Sequence, residues 1–110
     1  MIPYTDFARL LTDVSECSNF DAYLAEVGGS VPPDDVDSVI RLLTIIWTMG
    51  QGGLSVKSIS DACEISARQI AIQYHIPIRT VENWSAGMRI PPEWQLPLIA
   101  YAVLSDYMGG

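Results

Sequence analysis

The run from Ile76 to Pro92, IPIRTVENWSAGMRIPP, places Arg79 and Asn83 four residues apart on a segment whose apolar spacing is that of a short helix. Side chains of these two types, one helical turn apart, have a specific chemical use. Arginine pairs bidentately with guanine and asparagine with adenine in the DNA major groove, while Ile78 can meet a thymine methyl. The same spacing turns Val81 and Trp84 to the opposite side. Ile78, Arg79, Glu82, Asn83 and Ala86 are therefore expected to point outward, with Gly87 ending the helix.

A base-reading helix needs a second helix to hold it. Ser66-Ala67-Arg68-Gln69 has the form of a capping box, which opens a short helix that ends near Tyr74 or His75. Two helices crossing at a tight turn require a small residue where the backbones approach and apolar groups at fixed offsets. Ala71 is that small residue, with Ile70 and Tyr74 on the first helix, Ile76 in the turn, and Val81 and Trp84 on the second.

The rest of the chain also reads as helices. Thr5-Asp6 predicts an N-cap for a helix reaching about Val14, and Ser18-Asn19 starts a second that Gly28-Gly29 stops. Pro32-Pro33-Asp34-Asp35 opens a central helix with the stripe Val36, Val39, Ile40, Leu43, Ile46 and Trp47, its acids lying beside free amides. Gly50-Gln51-Gly52-Gly53 breaks the chain before a shorter helix behind Ser55. Pro91-Pro92 is expected to open the last helix, in which Pro97 predicts a kink or a delayed start. No alternating strand pattern appears. The expected fold is all-α, a compact bundle of about six or seven helices in one domain, 1–110, with an acidic N-terminal region, 1–53, followed by 54–110.

Charge and composition exclude several classes. The net charge of −7 argues against a general polyanion binder, because nonspecific nucleic-acid affinity comes from Lys and Arg neutralising phosphates. The distribution is uneven. Eight acids up to Gly50 face only Arg9 and Arg41, whereas between Ser66 and Leu104, Arg68, Arg79 and Arg89 face only Glu82 and Glu93. Cys17, Cys63 and the single His75 supply neither a disulfide framework nor a metal-ligand set, and both cysteines read as small buried hydrophobes in a reduced, cytoplasmic setting. Val39 to Met49 is too short and too charged to cross a bilayer. The Gly50 loop lacks the Lys-Ser/Thr of a phosphate loop, and no carboxylate pair points to catalysis. No enzyme, cofactor or metal site is expected.

The segment from Ser66 to about Leu104 resembles the phage-repressor-like (Cro or XRE type) helix-turn-helix, and in particular small Firmicute-type or antitoxin-like regulators. The residues that carry the resemblance are Arg79-Thr80, Trp84, Gly87, Arg89 and Pro91-Pro92. It covers about a third of the chain. It implies that the helix from Ile78 to Ala86 enters the major groove, that Arg79 and Asn83 face bases, and that Ala67, Arg68, Gln69 and Arg89 approach phosphates. Ile78, Arg79, Thr80 and Asn83 with Arg68, Gln69 and Arg89 are thus the candidate DNA-binding residues. Two positions depart from the pattern. His75 stands where the turn usually has glycine, which predicts a left-handed backbone there, and Pro77 replaces the usual Ser or Thr cap.

The resulting expectation is a DNA-binding transcriptional regulator acting on double-stranded DNA as a homodimer. The acidic N-terminal face is free to hold a protein partner. The alternative is an acidic, antitoxin-like interaction module that retains the same scaffold without reading DNA.

Overall fold

Local signals set most helix ends in the computed structural model, which describes residues 2–109. Among these residues the chain forms α1 (Tyr4–Glu16), α2 (Phe20–Gly28), a 3-10 turn (Pro33–Asp35), α3 (Val36–Gly50), α4 (Val56–Cys63), α5 (Ala67–Gln73), α6 (Ile78–Ser85) and α7 (Gln95–Tyr107), with no strand. Asn19 caps α2 by accepting from the Ala22 amide at 3.1 Å. Ser55 and Ser58 cap α4 reciprocally, at 3.0 and 2.9 Å. The all-α reading holds.

Two helix starts differ from expectation. α1 begins two residues early, with Pro3 rather than Thr5 in the cap position. The ring holds φ near −61°, so the chain enters the helix without a capping hydroxyl. Asp6 lies inside the first turn and pairs with Arg9 at 3.5 Å. The helix also runs two residues past Val14. At the other end of the chain, α7 starts at Gln95 and not at Pro91-Pro92. Pro97 is then third in the helix, where its missing N–H has no intrahelical acceptor to lose, so the start is delayed rather than the helix kinked.

α3 is the central helix. It packs on α1, α2 and α4, and buries Leu43, Ile45, Ile46 and Met49. α4 then bridges to the rest, touching α5, α6 and α7. One continuous core results, drawing Phe7 and Val14 from α1, Val56 and Ile59 from α4, Ile70 and Ala71 from α5, Val81 from α6, and Val103 and Leu104 from α7. Each fully buried large aliphatic contributes on the order of 1.5–3 kcal/mol relative to exposure. Tyr101 fastens α7 to the start of the chain, its hydroxyl donating to the Ile2 carbonyl at 2.5 Å while its ring meets Tyr4 edge-on at 5.4 Å.

α2 is the outlier, since it buries no residue fully. It holds to α3 through Phe20 stacked on Trp47, with centroids 4.8 Å apart. Of the two free cysteines, Cys63 is buried but Cys17 is only half-buried, because it caps α1 in extended backbone and donates its thiol hydrogen to the Val14 carbonyl at 3.1 Å. Among the described residues, no helix is long and apolar enough to cross a membrane.

Candidate nucleic-acid interface

α5 opens on the expected capping box. The Ser66 hydroxyl accepts from the Gln69 amide at 3.0 Å, and the Gln69 side-chain carbonyl accepts from the Ser66 amide at 3.1 Å. It closes by a bond from the Ile76 amide to the Ala71 carbonyl at 2.9 Å, with His75 at φ 57°. This is a Schellman end whose left-handed position is filled by histidine instead of glycine. Ala71 is buried beside the turn.

After Pro77 the chain enters α6 with no side-chain cap. Val81 is fully buried, and Trp84 is half-buried against the core. Gly87, at φ 77°, ends the helix, and the Met88 amide donates back to the Asn83 carbonyl at 2.9 Å. The Arg89 amide reaches the same carbonyl at 3.4 Å. The backbone of Arg89 is thereby folded onto the turn that carries Asn83.

The candidate residues separate into three groups. Arg68, Arg79 and Arg89 are exposed. Asn83 and Thr80 are half-buried, with Asn83 one turn after Arg79 on the same helix face. Ile78 differs from expectation: it is half-buried against the core rather than turned outward, because the first residue of α6 lies over the α5–α6 contact. Gln69 is exposed, but its side-chain oxygen is already engaged in the capping box, which leaves its amide NH2 for other contacts.

Charge sharpens the picture. The ion pairs among the described residues are Arg9 with Asp6 and Lys57 with Asp61, the latter at 2.9 Å. Arg68, Arg79 and Arg89 form none, so their guanidinium groups are available to a phosphate or a base edge. Glu82, exposed between Arg79 and Asn83, opposes an anionic ligand.

The sequence carried no signal for the polar clasp behind this pair of helices. The Tyr74 hydroxyl donates to Asp106 Oδ2 at 2.5 Å, and the Gln73 amide donates to the same oxygen at 2.7 Å, tying the end of α5 to α7. Burial, then the hydrogen bond and charge of Asp106, push the Tyr74 hydroxyl well above its ordinary range. Tyr107 donates to Glu64 at 3.1 Å and lies under Arg41, 5.5 Å from its ring centroid. Glu64 itself is left-handed, at φ 54°, and ends α4 in the same way that His75 ends α5. Burial also pushes the Cys63 thiol up to about 11, which keeps it protonated and unreactive.

The arrangement offers hydrogen-bond donors and positive charge on two short helices, of which α5 opens on a capping box. It offers no cluster of three or more His, Cys, Asp or Glu able to hold a metal ion among the described residues. Compared with known proteins, the chain matches no family model, no curated protein and no solved structure.

Proposed function

We propose that this protein is a sequence-specific DNA-binding regulator in which α5 and α6 act as a helix-turn-helix, with α6 in the major groove. The observation that carries the reading is the division of α6 into two faces. Val81 and Trp84 pack inward while Arg79 stands exposed and, among the described residues, without an ion-pair partner, with Asn83 one turn later. Arg79 reads guanine and Asn83 adenine, while Arg68 and Arg89 contact phosphates and Thr80 and Gln69 add polar contacts at the edge. Few cations serve each chain, so two chains bind as a homodimer on half-sites about 34 Å apart.

The test is fluorescence anisotropy on duplexes selected from a random pool. Arg79→Ala and Asn83→Ala relax base preference, each costing about 1–3 kcal/mol against the preferred site, and Arg68→Ala weakens all sequences alike. The salt slope is shallow, roughly −2 per chain for the two phosphate contacts of Arg68 and Arg89. Binding indifferent to all three substitutions removes the reading.

One observation favours a second reading, that of an acidic module which holds a protein partner. Met88, Ile90, Trp94 and Leu98 are exposed within one short stretch of a chain of net charge −7, and clustered exposed apolar groups mark interaction surfaces.

A further inference from the structure

A cleft of about 590 Å³ opens between α1, the glycine loop after α3, and the start of α7. Leu11, Leu54, Leu96 and Pro97 supply its apolar walls, Glu16 and Glu93 are its carboxylates, and among the described residues no arginine or lysine lines it. The volume lies within the range of ligand-binding pockets, roughly 300–1,000 Å³. We propose that this cleft is the docking groove for a basic amphipathic helix of a partner protein. The inference rests on the protein-partner reading and gives it an address; it stands whether or not α6 also binds DNA.

Three features select this occupant. The first is periodicity. On the α1 side the groove is bordered by a stripe one turn deep, Leu11 and Thr12 followed by Ser15 and Glu16. Opposite it stand Glu93, two residues before α7, and Leu96 and Pro97 in the first turn of that helix. A channel bordered by a helical stripe on one side and a helix start on the other accepts a further helix with apolar anchors at i, i+3, i+4 and i+7.

The second feature is extent. Trp94, the residue before α7, and Leu98, in its first turn, are chain neighbours of Glu93 and Pro97 and are 66% and 44% exposed. They set exposed apolar side chains next in sequence to two residues that line the cleft. Tryptophan in such a position is the residue type that most often anchors an interface.

The third feature is charge. Any polypeptide seated here strips water from Glu16 and Glu93, and only a partner bringing its own cations compensates them. A second copy of this chain brings a further −7 and its own two glutamates to the same place, so it is disfavoured as the occupant.

The probe is a fluorescein-labelled helix of roughly 18 residues, five turns, with leucines on one face and lysines on the flanks. It is compared with the same peptide carrying glutamates for lysines, at 0.15 M salt to screen distant charge. The lysine peptide binds the full chain and the glutamate peptide does not. Trp94→Ala weakens binding tenfold or more, roughly the loss of one anchor. Glu16→Gln with Glu93→Gln weakens it about fivefold, as expected for two rim ion pairs. Thr12→Trp, at an exposed lining position, fills the groove and competes with the peptide. Asp34→Asn with Asp37→Asn removes the same charge outside the cleft and leaves binding unchanged. Equal losses from the two glutamate and the two aspartate substitutions would mean attraction by bulk charge alone, which overturns the groove while sparing the protein-partner reading. Failure of both peptides to bind overturns the two together. A dimer in sedimentation that Trp94→Ala dissolves would make the occupant a second copy and also overturn the proposal.

Discussion

α3 and α6 apply the same helical period to different ends. α3 runs for 15 residues and buries four of them, meeting α1, α2 and α4 on successive faces. α6 runs for eight and buries only Val81. A helix surrounded by neighbours has little face left for polar chemistry, whereas one anchored along a single stripe leaves the opposite side open to solvent. Substitutions in α3 should therefore register as lost stability. Substitutions on the outer face of α6 should register as altered binding in a protein that stays folded.

The largest effect expected from this contrast is at Ile46, which is fully buried. Ile46→Ala should lower unfolding stability by about 2–5 kcal/mol in urea titration. Arg79→Ala, on exposed α6 surface, should shift it by less than about 0.5 kcal/mol. If the two cost the same, the division of labour between the helices is wrong.

A smaller effect separates the two ends of the helix pair. Gly87 is left-handed, and a Cβ there meets nothing within 4 Å. The cost of Gly87→Ala is thus backbone strain alone, about 1 kcal/mol. His75 occupies the same backbone region with a side chain, so His75→Gly relieves strain. The net gain is a few tenths to about 1 kcal/mol after glycine's greater unfolded freedom is subtracted. Thermal unfolding of the two variants should move in opposite directions.

The smallest effect sharpens the charge argument. Glu82→Gln removes the one acid on the outer face of α6 and should tighten DNA binding by a few tenths of a kcal/mol. The gain should shrink as salt rises through 0.15 M, as expected for an exposed charge.

Much of the bundle was legible because its signals are short. Asn19, Ser55, Ser66 and Gly87 each act on amides or carbonyls within a turn or so of chain. The left-handed His75 was legible too, but only through the resemblance, in which that turn position usually carries glycine. The start of α7 was misplaced because two candidate starts, Pro91-Pro92 and Pro97, lie close together in the chain, and the local sequence does not choose between them. Ile78 was misplaced for a related reason. Periodicity assigns a face to each residue of α6, but the first turn also meets α5, and that contact does not follow from α6's own pattern.

What this sequence determined alone is the inventory of helices, the caps at Asn19, Ser55 and Ser66 and the inward stripe of α6, all products of hydrogen bonds and side-chain spacing over three or four residues. Tertiary structure alone decided that Asp106 clasps Tyr74 across 32 residues, that Glu64 closes α4 in a left-handed turn beneath Tyr107, and that α1 and α7 border one cleft. The physical reason is range. A local bond has few competitors, whereas a contact between distant segments is selected from many compact arrangements by burial of the whole core.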